Sequence, residues 1–564
     1  MNSEISGVVF ILLLAFIIAY PLGKYISRVF KGEKVWTDFL LPLENFIFRI
    51  CKIDPKESMD WKQNMIALLR LNLIFFLWSI IILMIQGVIP IWNPVNIGNM
   101  EATLAYNTAA SFTSNTNLQH YSGETGLTYF SQLLVIGFMQ FVSAAVGIAA
   151  LALLFKGILQ KKATDLGNFY NLFLKSGTRI LLPLSFVVAV IFLLNGMPQT
   201  FNGLQETHTL EGDTVQVATG PVSSVIAIKQ LGTNGGGFFG PNCAHPFENS
   251  NYFTNITANF SILIISASLI FGFGFYLNKR KLAWIFFFVT LVVFITFVTS
   301  TVSFESAGNP EIAKLGIQQP IGSMEGKEVR FGSEASALWG VSTTSTSNGS
   351  VNSMHDSHTP LSGGIFLIDM MINSIFGGVG VGFINFFMFV VIAVFIGGLM
   401  IGRTPEFLGK KIEAKEVKIA SLVILLHPFL ILLGTAIAAF TAAMDPNIGW
   451  LANPSFHGFS EMLYEFTSAA ANNGSGFEGL GDNTPFWNIA TGTVMLIGRY
   501  LPIIGPIAIA GSLASKKTIP ESEGTLKVDT VAFGVVLLGV LVVVAALSFF
   551  PALTLGPIAE FFSM

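Results

Sequence analysis

The sequence predicts an all-α integral membrane protein, and three observations support that fold class. Hydrophobic residues make up 52% of the 564 residues and charged residues only 11%, whereas soluble proteins carry about 25% charged residues. Ten apolar stretches have about the length that a helix needs to cross a bilayer. Four polar strips of similar composition recur between these stretches. The net charge of −3 provides no general positive field for binding nucleic acid.

Ten transmembrane helices are predicted from these apolar stretches. They cover residues 5–27, 66–89, 126–155, 179–195, 259–278, 282–302, 365–402, 417–443, 486–514 and 528–552. Of the 30 lysine and arginine residues, 25 lie in five stretches that follow the odd-numbered spans. All five stretches therefore lie on one side of the membrane, which is the cytoplasm because positive charge concentrates there. Both termini are then predicted to lie outside.

Four short polar strips lie in the outer connections, each preceded by a helix-like segment. We call them filter strips 1 to 4: Asn115-Thr116-Asn117, Thr233-Asn234-Gly235, Ser347-Asn348-Gly349 and Asn472-Asn473-Gly474. Their third positions lie 118, 114 and 125 residues apart. A single such triplet is typical of a turn, but four at similar spacing, each between two spans, indicate a repeat. The chain is predicted to contain four span–pore-hairpin–span units in a pseudo-fourfold arrangement, with one extra helix at each end.

The predicted domain boundaries follow this repeat. The first helix and a basic cytoplasmic loop occupy residues 1–60, and a final helix occupies 518–564. Between them lie the four pore repeats, at residues 61–165, 166–280, 281–415 and 416–517. In the third repeat the second helix is predicted to be broken.

The residue types in the filter strips suit the coordination of a monovalent cation. A ring of backbone carbonyls can replace the hydration shell of a cation that could not otherwise enter hydrocarbon. Turning carbonyls inward requires unusual backbone angles, which glycine adopts at little steric cost and asparagine adopts more readily than most other residues. None of the four triplets contains a carboxylate or a basic side chain. The pattern therefore favours carbonyl coordination over a charged ring that selects divalent cations or anions.

The predicted span at 365–402 is too long for one crossing. Its 38 residues would make a helix of about 57 Å at 1.5 Å per residue. Gly377, Gly378, Gly380 and Gly382 lie in its middle, and each glycine in a helix interior costs about 1 kcal/mol relative to alanine. Two interpretations remain: an intramembrane loop that acts as a gate beneath the filter, or a close helix-packing face.

Arg499 lies within the ninth predicted span. A charge at that depth is costly and usually faces the protein interior or water. One hypothesis is that it lies below the filter and regulates cation passage or coupling. The other is a structural ion pair or a cap on backbone carbonyls.

Five longer motifs carry a resemblance to a known family. They are Thr113–Gln119, Leu231–Phe239, Ala244–Asn249, Asn352–Ser357 and Ile401–Glu406. Together they resemble KdpA, the potassium-binding subunit family of bacterial Kdp potassium-transporting ATPases. The resemblance runs from the first span to the last, and the motifs are spread over all four repeats.

The resemblance implies a function, a site and partners. Potassium is the transported ion, bound by the twelve strip residues together with Gln119, while the glycines of 377–382, Arg403 and Arg499 serve gating or coupling. Asn117 stands where the other strips have glycine. A P-type ATPase catalytic subunit, an accessory subunit and often a small single-span peptide complete a complex among the lipids of the bacterial inner membrane. This chain has no Asp-Lys-Thr-Gly phosphorylation motif and no P-loop, so ATP hydrolysis is assigned to a partner.

Two other functional classes share some of these features. A free-standing potassium or sodium channel of the same superfamily would have the same pore hairpins, although the whole-chain motif match and the extra terminal spans favour the pump subunit. A secondary transporter commonly has inverted repeats. Here all four strips are predicted on the same side, which argues against an inverted repeat.

Overall fold

The computed structural model describes residues 3–400, 402, 404–519 and 526–564, and within them it contains ten helices able to span a membrane. We number them spans 1 to 10: Glu4–Lys31, Trp61–Val88, Tyr129–Leu159, Phe169–Leu194, Tyr252–Tyr276, Arg280–Lys314, Val381–Met400, Ala414–Met444, Pro485–Ser515 and Val531–Leu555. The predicted fold class is confirmed. Strands are confined, in the part of the chain described, to two short hairpins, Leu204–His208 with Thr214–Ala218 and Glu406–Phe407 with Lys410–Lys411.

Shorter helices complete each repeat. Pore helices 1 to 4, one before each filter strip, are Ala102–Thr113, Val222–Leu231, Ser333–Ser345 and Phe456–Ala471. A half-helix, Pro360–Ile372, precedes span 7. Helix Leu41–Cys51 lies between spans 1 and 2, and helix Pro557–Ser563 ends the chain. Each repeat therefore has the predicted order of span, pore helix, strip and span.

Local sequence accounts for several helix starts. Asp60 precedes span 2, where its carboxylate accepts the Gln63 N–H at 2.8 Å and Gln63 accepts the Asp60 N–H in return. This reciprocal pairing satisfies donors that the first turn leaves free. Thr484 caps span 9, where its side chain accepts the Trp487 N–H. Pro485 is the first residue of the helix, a position that suits its ring. These caps fix where the spans begin.

Span 4 starts ten residues before its predicted position. The sequence placed its start at residue 179, but the helix begins at Phe169. Arg179 made the segment look like a loop, yet its guanidinium is buried and paired with Glu44 at 2.6 Å and Asp38 at 2.7 Å. Because both partners come from the segment after span 1, the sequence around span 4 could not reveal them.

The predicted span at 365–402 consists of two helices. The half-helix ends at Ile372 and span 7 begins at Val381. Residues 373–380 connect them, with left-handed φ angles at Asn373, Phe376, Gly377 and Gly380. We call residues 373–380 the gate loop, after the gating hypothesis, which stays a prediction.

The second span of each repeat faces the centre of the protein. Spans 3 and 5 bury 89% and 83% of their most apolar windows, and spans 7 and 9 bury 61% and 56%. The first spans of repeats 1 and 4, spans 2 and 8, bury only 28% and 22%. Span 1 packs along span 5, where a Cβ on Gly23 would lie 2.5 Å from the Ser268 carbonyl oxygen. The inner spans thus enclose the strips, and the outer spans present apolar side chains to lipid.

Candidate ion filter

The four filter strips share one backbone pattern. The first residue of each has a left-handed φ: Asn115 63°, Thr233 47°, Ser347 48° and Asn472 53°. The third residue does too: Asn117 60°, Gly235 89°, Gly349 89° and Gly474 103°. The middle residue of each strip does not. Reversing φ at every second residue turns successive carbonyl groups toward the same side, as an ion filter requires.

The strips touch one another in a closed ring. A Cβ on Gly235 would lie 2.1 Å from the Asn348 carbonyl oxygen, and one on Gly349 would lie 2.2 Å from that of Asn473. A Cβ on Gly474 would lie 2.0 Å from the Thr116 carbonyl oxygen. These contacts join strip 2 to 3, 3 to 4 and 4 to 1. The ring closes through Asn115, whose amide donates to the Thr233 carbonyl oxygen at 2.8 Å.

The middle asparagines hold neighbouring repeats together through their side chains. Asn473 donates to the Thr343 carbonyl oxygen on pore helix 3 at 2.8 Å, and Asn348 donates to that of Gln230 on pore helix 2 at 3.4 Å. Asn234 donates to the Asn115 side-chain oxygen at 2.7 Å. Asparagine is expected in such strips because it tolerates a left-handed φ. At the middle position of strips 2, 3 and 4, the asparagine side-chain amide donates a hydrogen bond to a neighbouring repeat.

Strip 1 departs from the other three. Asn117 takes the left-handed conformation that glycine takes elsewhere. Its side-chain amide is buried and has no hydrogen-bond partner within the described part of the chain. Gln119 lies just beyond the strip. It accepts the Gly237 N–H at 2.7 Å and donates to the Gly237 carbonyl oxygen at 3.1 Å. Gln119 therefore joins strip 1 to the segment that follows strip 2.

A fully buried ion pair supports strip 2. Lys229 on pore helix 2 lies 2.7 Å from Glu248, and both side chains are 0% exposed. Glu248 also accepts the backbone N–H of Phe239 at 2.8 Å, and Lys229 contacts the side-chain oxygen of Asn242. Asn242 in turn donates to the Gly235 carbonyl oxygen at 2.7 Å. Sequence reasoning missed this network, although Glu248 lies in one of the quoted motifs.

A buried carboxylate supports strip 3 in a similar way. Asp369 on the half-helix accepts hydrogen bonds from Thr344 at 2.8 Å and Ser345 at 2.6 Å. Both hydroxyls belong to the end of pore helix 3, directly before Ser347. Local sequence pattern does not predict the role of Asp369, because its partners lie 24 and 25 residues away.

The gate loop lies against strips 2 and 3. Its Val379 N–H donates to the Thr233 hydroxyl at 3.0 Å, and the Gly377 N–H donates to the Ser345 carbonyl oxygen at 2.8 Å. A Cβ on Gly378 would lie 3.5 Å from the Ser347 Cβ, which is ordinary contact. Gly380 is different, since its Cβ would lie 2.1 Å from the Gly147 carbonyl oxygen on span 3.

Close packing accounts for most of the glycine run, and the gate stays a prediction. Gly377 and Gly382 approach so closely that a Cβ on either would lie 2.2 Å from the Cα of the other. Gly380 packs on Gly147 of span 3. Three of the four glycines therefore lie where a side chain would collide with backbone. Gly378 alone is not tightly enclosed.

Arg499 is buried next to the gate loop. Its Nη2 donates to the Ser143 carbonyl oxygen at 3.4 Å. A Cβ on Gly147 would lie 3.2 Å from this Nη2 and 2.4 Å from the Val379 carbonyl oxygen. Arg499 forms no ion pair with a carboxylate of the described residues. Arg403, the other arginine that the resemblance selected, lies outside the described residues.

A cavity of about 340 Å³ opens at the other side of the ring. It is lined by Asn117, Gly349 and Gly474 of the strips, and by the acidic residues Glu478 and Asp482. Carboxylates at the mouth of a narrow path raise the local concentration of cations. The cavity is therefore an acidic vestibule that leads to the ring.

His120 closes one side of this vestibule with its carboxylate neighbours. Its Nε2 lies 3.1 Å from Glu465 and 3.9 Å from Asp482, and its Nδ1 lies 2.7 Å from the Asn488 side-chain oxygen. Burial lowers the pKa of His120, but Asp482 and Glu465 outweigh burial and raise it to about 9. The imidazole is therefore charged near neutral pH.

This charge predicts a loss of stability in alkali. Because the pKa of His120 is raised from 6.5 to about 9, its contribution is full below pH 6.5 and is lost as pH rises through 9. The free energy of unfolding falls by about 3 kcal/mol over this pH range, at 1.36 kcal/mol per pKa unit. Burial raises the pKa of Asp482 only to about 6, so Asp482 stays ionised from pH 7 to 10.

Thermal unfolding of the purified chain between pH 7 and 10 measures this effect. We expect His120→Gln to flatten the decline relative to the unsubstituted chain. His208→Gln, at an exposed histidine on the first hairpin, is the control and should leave the decline unchanged. Equal slopes for all three proteins would contradict the assignment of the charge to His120.

Comparison with known proteins adds independent information. The potassium-transporting ATPase potassium-binding subunit of Flavobacterium johnsoniae is 55% identical over 574 residues, with 100% of both chains covered. That of Phocaeicola vulgatus is 54% identical over the full length of both chains, and that of Geobacillus kaustophilus is 48% identical over 98% of each. Among solved structures, the potassium transporter TrkH from Vibrio parahaemolyticus aligns with a TM-score of 0.49 and 16% identity, covering 90% of this chain and 98% of that chain.

A protein-family model gives the same result over almost the whole sequence. The family described as KdpA, the potassium-transporting ATPase A subunit, matches residues 9–562. This range includes all ten spans and all four filter strips. The chain belongs to the KdpA family of potassium-transporting ATPase A subunits.

Proposed function

We propose that this chain binds potassium in a carbonyl-lined filter made by strips 1 to 4 and passes it into an ATP-driven import complex. One observation carries the proposal: the four strips have the same alternation of φ and contact one another in a closed ring. Such a ring offers backbone carbonyls in place of a hydration shell. The relatives named as potassium-binding subunits support potassium as the ion.

The surroundings of the ring support cation transport. Each pore helix ends directly before its strip, which brings the negative end of the helix dipole close to the ring. The acidic vestibule supplies a further attraction for cations on one side. None of the twelve strip residues carries a charge, so the ion is held by carbonyl dipoles.

The proposed complex divides the work among subunits. A P-type catalytic subunit hydrolyses ATP, an accessory subunit assists, and a small single-span peptide completes the assembly in the bacterial inner membrane. Basic residues concentrate in the loops assigned to the cytoplasm. This distribution supports an orientation in which the vestibule and both termini face the outside. The absence of an Asp-Lys-Thr-Gly motif in this sequence supports the assignment of hydrolysis to a partner.

We assign the gate loop and Arg499 to control of the ion after it leaves the filter. The contact between Val379 and Thr233 supports a loop directly behind strip 2. Arg499 lies beside the same loop and donates to the Ser143 carbonyl oxygen, and we assign its positive charge to the control of ions behind strip 2. Arg403 is assigned to coupling on the family resemblance alone.

Two alanine substitutions separate gating from packing. Gly378→Ala adds a methyl group in ordinary contact with strip 3, so we expect normal stability. If the loop is a gate, the methyl group narrows the path behind the ring, and a barrier raised by about 1.4 kcal/mol lowers uptake about tenfold. Gly380→Ala meets the Gly147 carbonyl oxygen at 2.1 Å and requires a left-handed φ, so we expect the chain to lose about 1–3 kcal/mol of stability. Uptake and thermal unfolding of each variant test these expectations. Normal uptake by Gly378→Ala would contradict the gate.

Potassium uptake in a potassium-requiring bacterium without its own uptake systems tests the whole proposal. Cells would carry this chain alone, or this chain with the catalytic and accessory subunits. We expect uptake only with the partners, and we expect Gly235→Asp to weaken it because that side chain enters the ring. Uptake by this chain alone would instead indicate a free-standing channel.

A further inference from the structure

A second polar cluster lies where three outer segments of the chain meet. Asp356 follows strip 3, His457 and Glu461 lie in the first turns of pore helix 4, and Glu560 lies in the C-terminal helix Pro557–Ser563. One ligand atom each of Asp356, His457 and Glu461 lies within 4.8 Å of the other two. None of these residues belongs to the filter strips or to the gate loop.

The histidine in this cluster is held in one orientation. His457 Nε2 lies 2.9 Å from the Asp356 carboxylate, and Nδ1 lies 2.8 Å from the Glu560 carboxylate. Metal binding at Nε2 would replace the hydrogen bond to Asp356 and release the Nε2 proton, while Nδ1 keeps donating to Glu560. A second carboxylate that accepts from the distal ring nitrogen is the usual support for a histidine ligand.

Glu461 has a buried oxygen that the protein does not satisfy. The residue is 0% exposed. Its Oε1 accepts the Asn453 backbone N–H at 3.2 Å and the Asn453 side-chain amide at 3.1 Å. Its Oε2 is buried and has no hydrogen-bond partner among the described residues. A buried acceptor without a partner costs about 1–3 kcal/mol, and more when it is charged, so a cation bound to this oxygen would remove that cost.

The cluster also has an excess of negative charge. Asp356, Glu461 and Glu560 surround a single imidazole, and no lysine or arginine of the described residues forms an ion pair with them. Carboxylates without cationic side chains are favourable surroundings for a divalent ion.

We propose that Asp356, His457 and Glu461 bind a divalent transition-metal ion of the zinc type, with Glu560 orienting the histidine. One imidazole nitrogen and two carboxylates are ligands that zinc accepts at tetrahedral sites, with a fourth position left for water. The buried Glu461 carboxylate contributes one ligand atom to this group. This site is separate from the proposed potassium filter and does not depend on it.

A metal ion bound at this site would connect three segments of the chain. The metal would join the loop after strip 3 to the start of pore helix 4, and Glu560 would add the C-terminal helix. Pore helix 4 ends at Ala471, directly before strip 4. Metal binding would therefore stabilise the outer side of repeats 3 and 4 without entering the ion path.

Zinc titration of the full-length chain tests the site. The chain, purified in detergent with potassium present and stripped with a chelator, is titrated with Zn²⁺ against a competing fluorescent indicator. We expect one saturable site per chain, and we expect Glu461→Gln and His457→Gln each to weaken it at least about tenfold. Glu206→Gln and His208→Gln are matched controls on the exposed first hairpin and should bind as the unsubstituted chain does.

Glu560→Gln keeps the proposal testable if a ligand variant fails to fold. It leaves all three ligands in place and is expected to weaken zinc binding about 10- to 100-fold through loss of the histidine support. Thermal unfolding without metal verifies that each variant is folded. No saturable site in the unsubstituted chain, or equal affinity for His457→Gln and His208→Gln, would overturn the proposal. Because the readout is metal binding, a failure here leaves the potassium filter unaffected.

Discussion

Replacing Gly349 with alanine is expected to reduce potassium uptake by the assembled complex about 100-fold. Gly349 has φ 89°, and a Cβ there would lie 2.2 Å from the Asn473 carbonyl oxygen in the next strip. The left-handed conformation costs about 1–3 kcal/mol for an alanine. At Gly349 this strain falls on the ring itself, where 3 kcal/mol corresponds to about two factors of ten. The clash must also push strip 4 away from the ring. Initial rates of potassium uptake at low external potassium measure the effect.

Gly316 provides a matched control for this substitution. Its φ is 79°, close to that of Gly349, but no atom lies within 4 Å of a Cβ built there. Gly316→Ala therefore carries the conformational cost without the clash, and uptake should remain near normal. A similar loss of uptake in both variants would show that strain alone, away from the ring, explains the result and would contradict the role given to Gly349.

Replacing Lys229 with methionine is expected to lower the free energy of unfolding by about 3–5 kcal/mol. The substitution leaves the Glu248 carboxylate buried without its cation, and removing one partner of a buried pair costs about this much. Lys229 also contacts Asn242, which supports the Gly235 carbonyl. We therefore expect potassium affinity to fall together with stability. Denaturant unfolding in detergent measures the first effect, and uptake at varied potassium concentration measures the second.

An exposed ion pair and a double variant complete this experiment. Lys314 lies 2.6 Å from Glu311, and both side chains are about half exposed. Such surface pairs contribute about 0–1 kcal/mol, so Lys314→Met should change little. Adding Glu248→Gln to Lys229→Met removes the uncompensated charge and should recover part of the lost stability. Equal costs for Lys229→Met and Lys314→Met would rule out a buried pair.

The sequence predicts those features that depend on residues close to one another along the chain. The ten spans follow from runs of apolar residues, and the break in the third repeat follows from the glycines at 377–382. The strips were found because glycine and asparagine recur at similar spacing. In each case a few neighbouring residues carry the information, so no knowledge of distant contacts was needed.

The features that sequence did not predict depend on partners far along the chain. Arg179 is paired with Asp38 and Glu44 from the segment before span 2, so its charge could not be placed inside a helix in advance. Asn473 donates to a carbonyl 130 residues earlier, which no local pattern reveals. Residue type indicates where the strips lie. The hydrogen-bond partners of each strip side chain depend on contacts between repeats.

The ring is built from four different segments of one polypeptide, and this has a genetic consequence. In a channel made of four identical subunits, one codon change alters every quarter of the pore at once. Here Asn117 occupies a position that is glycine in the other three quarters, which shows that one quarter can differ alone. Selection can therefore change one quarter of the proposed filter in a single step while the other three quarters keep their residues.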